Sequence, residues 1–228
     1  MSVEAATTHS WRRTLVGVGR SPRVVMIITA VLGIGAAVAV TALAAPRDRT
    51  FAAVAGPVQS LMSITVPFLG VLLVRERRRR GGSVLPAMVA AEVVAVAFAL
   101  LGVVAAVTAT AVAPSTAGPG RWQHAFLIGL GSILVQALAQ LIGTGFGRLI
   151  RSAVVACLAT FVFPLGLWLL LGAAGVLVPL RDWLTPFEAA RHLLSGQMSG
   201  LRWVQWLVVA ALWGVGLHLI AARRALRR

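Results

Sequence analysis

Four polar residues recur at steps of four inside an otherwise apolar stretch: Ser132, Gln136, Gln140 and Thr144. That spacing stacks them on one slowly turning face of a helix. Such a face offers hydrogen bonds, either to line a polar path or subunit seam or to tie helices together. Gln59, Ser60 and Ser63 make a smaller polar set elsewhere. Glu92 is the one carboxylate followed by a long apolar run. A carboxylate there can hold a proton or a cation, and pairing with Arg75 or Arg78, about three turns away, is an equal reading. The densest charge lies in "VLLVRERRRRGG", where Arg75, Glu76, Arg77, Arg78, Arg79 and Arg80 run into Gly81 and Gly82.

Several chemistries are excluded by type and spacing. His9, His124, His192 and His218 are scattered, Cys157 is the single cysteine, and no HExxH pattern occurs, so no metal site is expected. "GTGFGR" from Gly143 to Arg148 lacks the spacing of a dinucleotide loop. All 21 basic residues are arginine, and without lysine there is no Walker A motif. Ser132 and His218 prompt comparison with intramembrane serine proteases, but "GLGSIL" lacks their GxSG pattern. No catalytic residue is assigned. The arginine run carries no interleaved aromatic to stack bases, so nucleic acid is not expected as a partner.

These residues need elements to position them, and composition says which. The 228 residues are 59% hydrophobic and 12% charged, with mean hydropathy +0.90, against about 25% charged in soluble domains. The expectation is an all-α integral membrane protein, since lipid leaves strand edges unpaired. Six segments reach the length of about 20 residues that a span requires: 24–45, 52–74, one within 84–113, 124–146, 153–174 and 203–222. With both termini in the cytosol, the inner segments hold 15 of the 21 arginines, as the positive-inside bias demands. The first span ends in "ALAAP" like a cleavage site, but its apolar core exceeds the about 7–15 residues of a signal peptide, and it is read as retained. The expected organisation is a cytosolic leader over 1–23, a transmembrane domain over 24–222 and a basic tail over 223–228. The leader "SWRRTLVGVGRSPR" reads as an amphipathic helix in the bilayer interface, with Ser21 and Pro22 opening the span. Gly33, Gly35, Gly143 and Gly147 permit close helix approach, and Pro164 breaks one rung of the fifth span. Between spans five and six, Thr185, Pro186 and Glu188 mark a short helix start in a segment too polar to span, with Leu184, Phe187, Leu193 and Leu194 dipping it into the outer leaflet.

The order of these features resembles the membrane subunit of ABC-2 type transporters. "QLIGTGFGRLIRSAVVACLATFVFPL", from Gln140, is similar to the glycine-rich turn and helix start between the fourth and fifth spans of bacterial members. "DWLTPFEAARHLLSG", Asp182 to Gly196, is similar to their element before the last span. The resemblance implies export of an amphiphilic or hydrophobic solute across a bacterial cytoplasmic membrane. It also implies a second permease subunit and a separate ATP-binding cassette subunit that carries ATP and Mg. The loop after the second span is then the docking point for that subunit, with Glu76 and Gly81-Gly82 in place of the family's Glu and Gly-Thr. The competing reading is a non-transport anchor or assembly factor whose polar face binds another membrane protein.

Overall fold

The computed structural model describes residues 20–227. The interfacial helix expected over the leader lies outside the described residues. Among those described, every regular element is helical. The long helices are α1 (Arg20–Leu43), α2 (Phe51–Arg79), α3 (Leu85–Val112), α4 (Ala125–Leu149) and α5 (Ala153–Ala173). Two short helices follow, α6 (Arg181–Leu184) and α7 (Pro186–Ser195), and the final span joins α8 (Gly200–Val209) to α9 (Leu217–Leu226). Six helices are long and apolar enough to cross a membrane: the chain is a multi-pass membrane protein.

Helix starts are set by side chains that accept orphan N–H groups. Thr50 takes the Ala53 N–H for α2, Ser152 that of Val155 for α5, Thr185 that of Glu188 for α7, and Ser199 that of Arg202 for α8. Thr185 with Pro186 behind it is the start expected from sequence. Ser21, expected as a cap, already lies within α1. The last span also departs from a uniform helix: Ala210–Gly216 is wound as a π segment. The Trp213 Nε1–H inside it donates to the Leu184 carbonyl at 2.8 Å, tying the span to the end of α6.

α2 is the centre of the bundle. Val54, Val58, Met62 and Val66 are fully buried, in a cluster shared with Ala37 of α1 and Ala95 and Phe98 of α3. A second cluster gathers Leu138, Ile142 and Phe146 of α4 with Ala159 of α5, Ala189 of α7, and Val209 and Trp213 of the last span. Between the two clusters α2 and α4 meet backbone to backbone. An added Cβ on Gly143 would lie 2.7 Å from Pro67 Cα, and one on Gly147 would lie 2.9 Å from Val71 Cα. Gly33 sits against the Met62 sulfur, whereas Gly35 has open space around it and serves no close contact. Outward faces are apolar: Val31, Val38, Val104, Val154 and Leu170 are more than half exposed. A large exposed apolar surface of this kind suits lipid and not water.

Candidate functional site

The arginine cluster does not form a loop of its own. α2 continues through it to Arg79, because Arg and Glu are good helix formers and cations suit a helix C-terminus. The helix stops at Gly81, whose φ of +68° is the left-handed conformation that glycine adopts without strain. Gly81 N–H donates to the Arg78 carbonyl at 3.1 Å, and Gly82 N–H to that of Arg77 at 3.2 Å. These two bonds make a Schellman cap. Only Arg80–Val84 separates α2 from α3, so the segment expected as the loop after the second span is the last turn of α2 plus its cap. No separate helix lies there.

The arginines divide into two sets. Arg75 donates to the carbonyls of Ile150 and Arg151, and Arg78 to that of Arg148 at 2.8 Å. They close the C-terminus of α4, where carbonyls lack donors and the helix dipole favours cations. Arg77 bonds the Ser83 carbonyl at 3.1 Å within the cap. Arg79 and Arg80 stay exposed, and Arg80 pairs with Glu76 at 2.7 Å, one helical turn away. An exposed pair of this kind contributes little to stability, so Glu76, Arg79 and Arg80 are the members of the cluster left for another molecule.

The polar ladder of α4 is enclosed within the chain. Ser132, Gln136, Gln140 and Thr144 are all 0% exposed, as is Gln59. Gln136 Nε2 donates to the carbonyl and side-chain oxygens of Gln59 at 2.9 and 3.0 Å, and Gln59 Nε2 donates to the Ala99 carbonyl at 3.0 Å. One chain of bonds thus ties α4, α2 and α3. Gly102 makes room for it, since a Cβ there would lie 2.6 Å from Gln59 Nε2. Ser132 returns its proton to the Ile128 carbonyl of its own helix. Gln140 differs: both amide atoms are buried without a partner, and the amide nitrogen faces Gly70. Ser60 is exposed and Ser63 half-buried, apart from the ladder.

Glu92 is half-buried, and its Oε1 is buried with no hydrogen-bond partner. Pairing with Arg75 or Arg78 does not occur; the hydrogen bonds those guanidiniums make are to carbonyls at the end of α4. Near the same end, Arg148 donates to His218 Nδ1 at 3.1 Å, since a guanidinium can only donate. The imidazole proton then sits on Nε2, facing Thr144 Oγ1 at 3.3 Å. This relay joins α4 to α9 and was not foreseen, because the two helices are remote in sequence.

The segment between α5 and α8 holds a third polar group. Trp168 Nε1–H donates to Glu188 Oε2 at 2.9 Å, and Arg191 binds Glu188 Oε1 at 2.8 Å. His192 Nε2 meets Asp182 Oδ1 at 3.1 Å, and Arg181 stacks over the Trp168 ring, 4.2 Å from its centroid. Asp182, Glu188 and His192 offer ligand atoms within 4.8 Å of one another, a grouping that sequence spacing did not reveal. Glu188 already spends both oxygens on donors, Trp168 and Arg191, and Asp182 meets His192. The arrangement therefore holds α6 and α7 against α5 as a folded hairpin. Leu193 and Leu194, expected to dip into the outer leaflet, are instead buried inside the chain: α7 lies against α4, with the Leu193 carbonyl over Gly131.

No family model, curated protein or solved structure matches this chain.

Proposed function

We propose that the chain is the membrane subunit of an exporter for amphiphilic or hydrophobic solutes, driven by a separate ATP-binding subunit and working beside a second permease subunit. In this reading the arginine-rich end faces the cytosol of a bacterial cell, and the chain itself binds no ATP or Mg. The observation that supports it best is the division of the arginine cluster. Arg75 and Arg78 lock the tip of α2 to the end of α4, while Glu76, Arg79 and Arg80 are presented outward on a capped, rigid helix end. A docking point that transmits force needs that combination of fixed base and free charged face. Burial of the α4 polar face inside the chain speaks against the rival reading, an anchor that recruits a partner helix through that face, and equally against that face as a transport path or subunit seam.

The test is purification from the native membrane in mild detergent. A Walker-type ATPase should copurify, and the double substitution Arg79→Glu with Arg80→Glu should lower its retention by about tenfold. Membrane insertion should be unchanged. Absence of any ATP-hydrolysing partner, or full retention by the double variant, would reject the proposal.

A further inference from the structure

Two helix prolines meet at one cavity. It lies between α2, α4 and α5 at the middle of their lengths, is floored by α7, and encloses about 70 Å³. Pro67 and Ser63 of α2 line it, as do Pro164 and Thr160 of α5. Each pair is separated by four residues, the step of a helical hydrogen bond. Proline has no N–H, so the Ser63 and Thr160 carbonyls each lack their regular donor on the cavity side. The neighbouring hydroxyls do not supply one. Ser63 Oγ donates to the Ser60 carbonyl and Thr160 Oγ1 to that of Cys157, both at 2.7 Å. Their lone pairs are left to accept. Trp206 also lines the cavity, and its indole N–H is buried without an acceptor. The remaining wall is apolar, with Phe161, Phe187 and Leu138 among it.

The site therefore presents acceptors in apolar surroundings, with no charged side chain in its lining, and the Trp206 nitrogen, itself fully enclosed, adds no donor surface to it. A cation would meet carbonyl oxygens but no counter-charge at the centre of a bilayer, where an unpaired charge is costly. A neutral group that donates a hydrogen bond satisfies the set. Size decides the rest. A cavity of about 150 Å³ accommodates benzene, so this one admits a head the size of a hydroxymethyl group. The apolar body must lie outside, along the half-buried side chains of Ser63, Ile64 and Phe161 between α2 and α5. We infer that the cavity binds the hydroxyl head of a neutral, long-chain alcohol entering from within the bilayer. Binding stands on this geometry alone; only its use as an entry point for cargo rests on the transport reading.

The experiment uses the purified chain in phosphatidylcholine nanodiscs without any ATPase, which separates it from the test of transport. A dodecanol carrying a mid-chain diazirine is photo-crosslinked and the adducts are located by mass spectrometry. Adducts should concentrate on α2 and α5 around the cavity. Unlabelled 1-dodecanol should compete about tenfold better than its methyl ether, which accepts but cannot donate, and better than dodecylammonium, the difference being about that of one buried hydrogen bond. Ala139→Phe fills the cavity and should abolish competition by the alcohol. Pro164→Ala returns an N–H to the Thr160 carbonyl and should reduce the preference for alcohol over ether, the Ser63 carbonyl being left as acceptor, without displacing the helix. Adducts spread evenly over the lipid-facing surface, equal competition by alcohol and ether, or an unchanged preference in both variants would overturn the assignment.

Discussion

Gln136 and Gln140 sit one turn apart on α4, equally buried, yet only the first is bonded. Gln136→Leu removes bonds to Gln59 and should destabilise the bundle by about 0.6–1.7 kcal/mol, the range for hydrogen bonds between membrane helices. Gln140→Leu should be neutral or stabilising in the same denaturation measurement, because it replaces an unsatisfied amide with a hydrocarbon. Equal losses in the two variants would contradict this difference in bonding. The i, i+4 spacing made the polar face legible from sequence, since the helix repeat alone dictates it. Which members bond was not legible, because the partners Gln59 and Ala99 lie on other helices. The same holds for Glu92. Its nearness in sequence to the arginines suggested a pair, but those guanidiniums meet unpaired carbonyls at the end of α4 instead.

At the scale of elements, close packing of α2 on α4 rests on glycine. Gly143→Ala places a methyl against the Pro67 backbone and should lower the thermal midpoint clearly. Gly35→Ala meets nothing within 4 Å and should be neutral or raise it, as alanine is favoured over glycine in a helix by about 1 kcal/mol. A comparable loss in both would mean that the α2–α4 contact is not the tight one. Six helices were legible from apolar length alone, because a bilayer sets the required run. Helix ends were less so. α2 outruns its apolar stretch by a full turn, since arginine favours helix even where it ends the hydrophobic match. The π segment in the last span carries no such pattern, and Trp213 within it reaches the Leu184 carbonyl.

Across the whole molecule the arginines perform two duties. Those at the end bearing the α2 tip make up a charge bias, and both Arg75, Arg77 and Arg78 there and Arg49, Arg121, Arg181 and Arg202 toward the other end bond backbone carbonyls. A count of charges could read the first duty and not the second. Orientation is tested in a Cys157→Ser background with Ser83→Cys and Gln123→Cys, both at exposed positions. A membrane-impermeant maleimide should reach position 83 only in inverted vesicles and position 123 only in intact spheroplasts; the reverse pattern would invert the molecule. The 29 residues of α2 span about 44 Å at the helical rise. That makes it a rod from one membrane face to the other, with its foot bolted to α4. A load on the foot has no loop to dissipate it. The rod yields where its ladder lacks a rung, and for Pro67 that point is the Ser63 carbonyl, halfway along. Bending of α2 at Pro67 would therefore reshape the mid-membrane cavity that this proline lines.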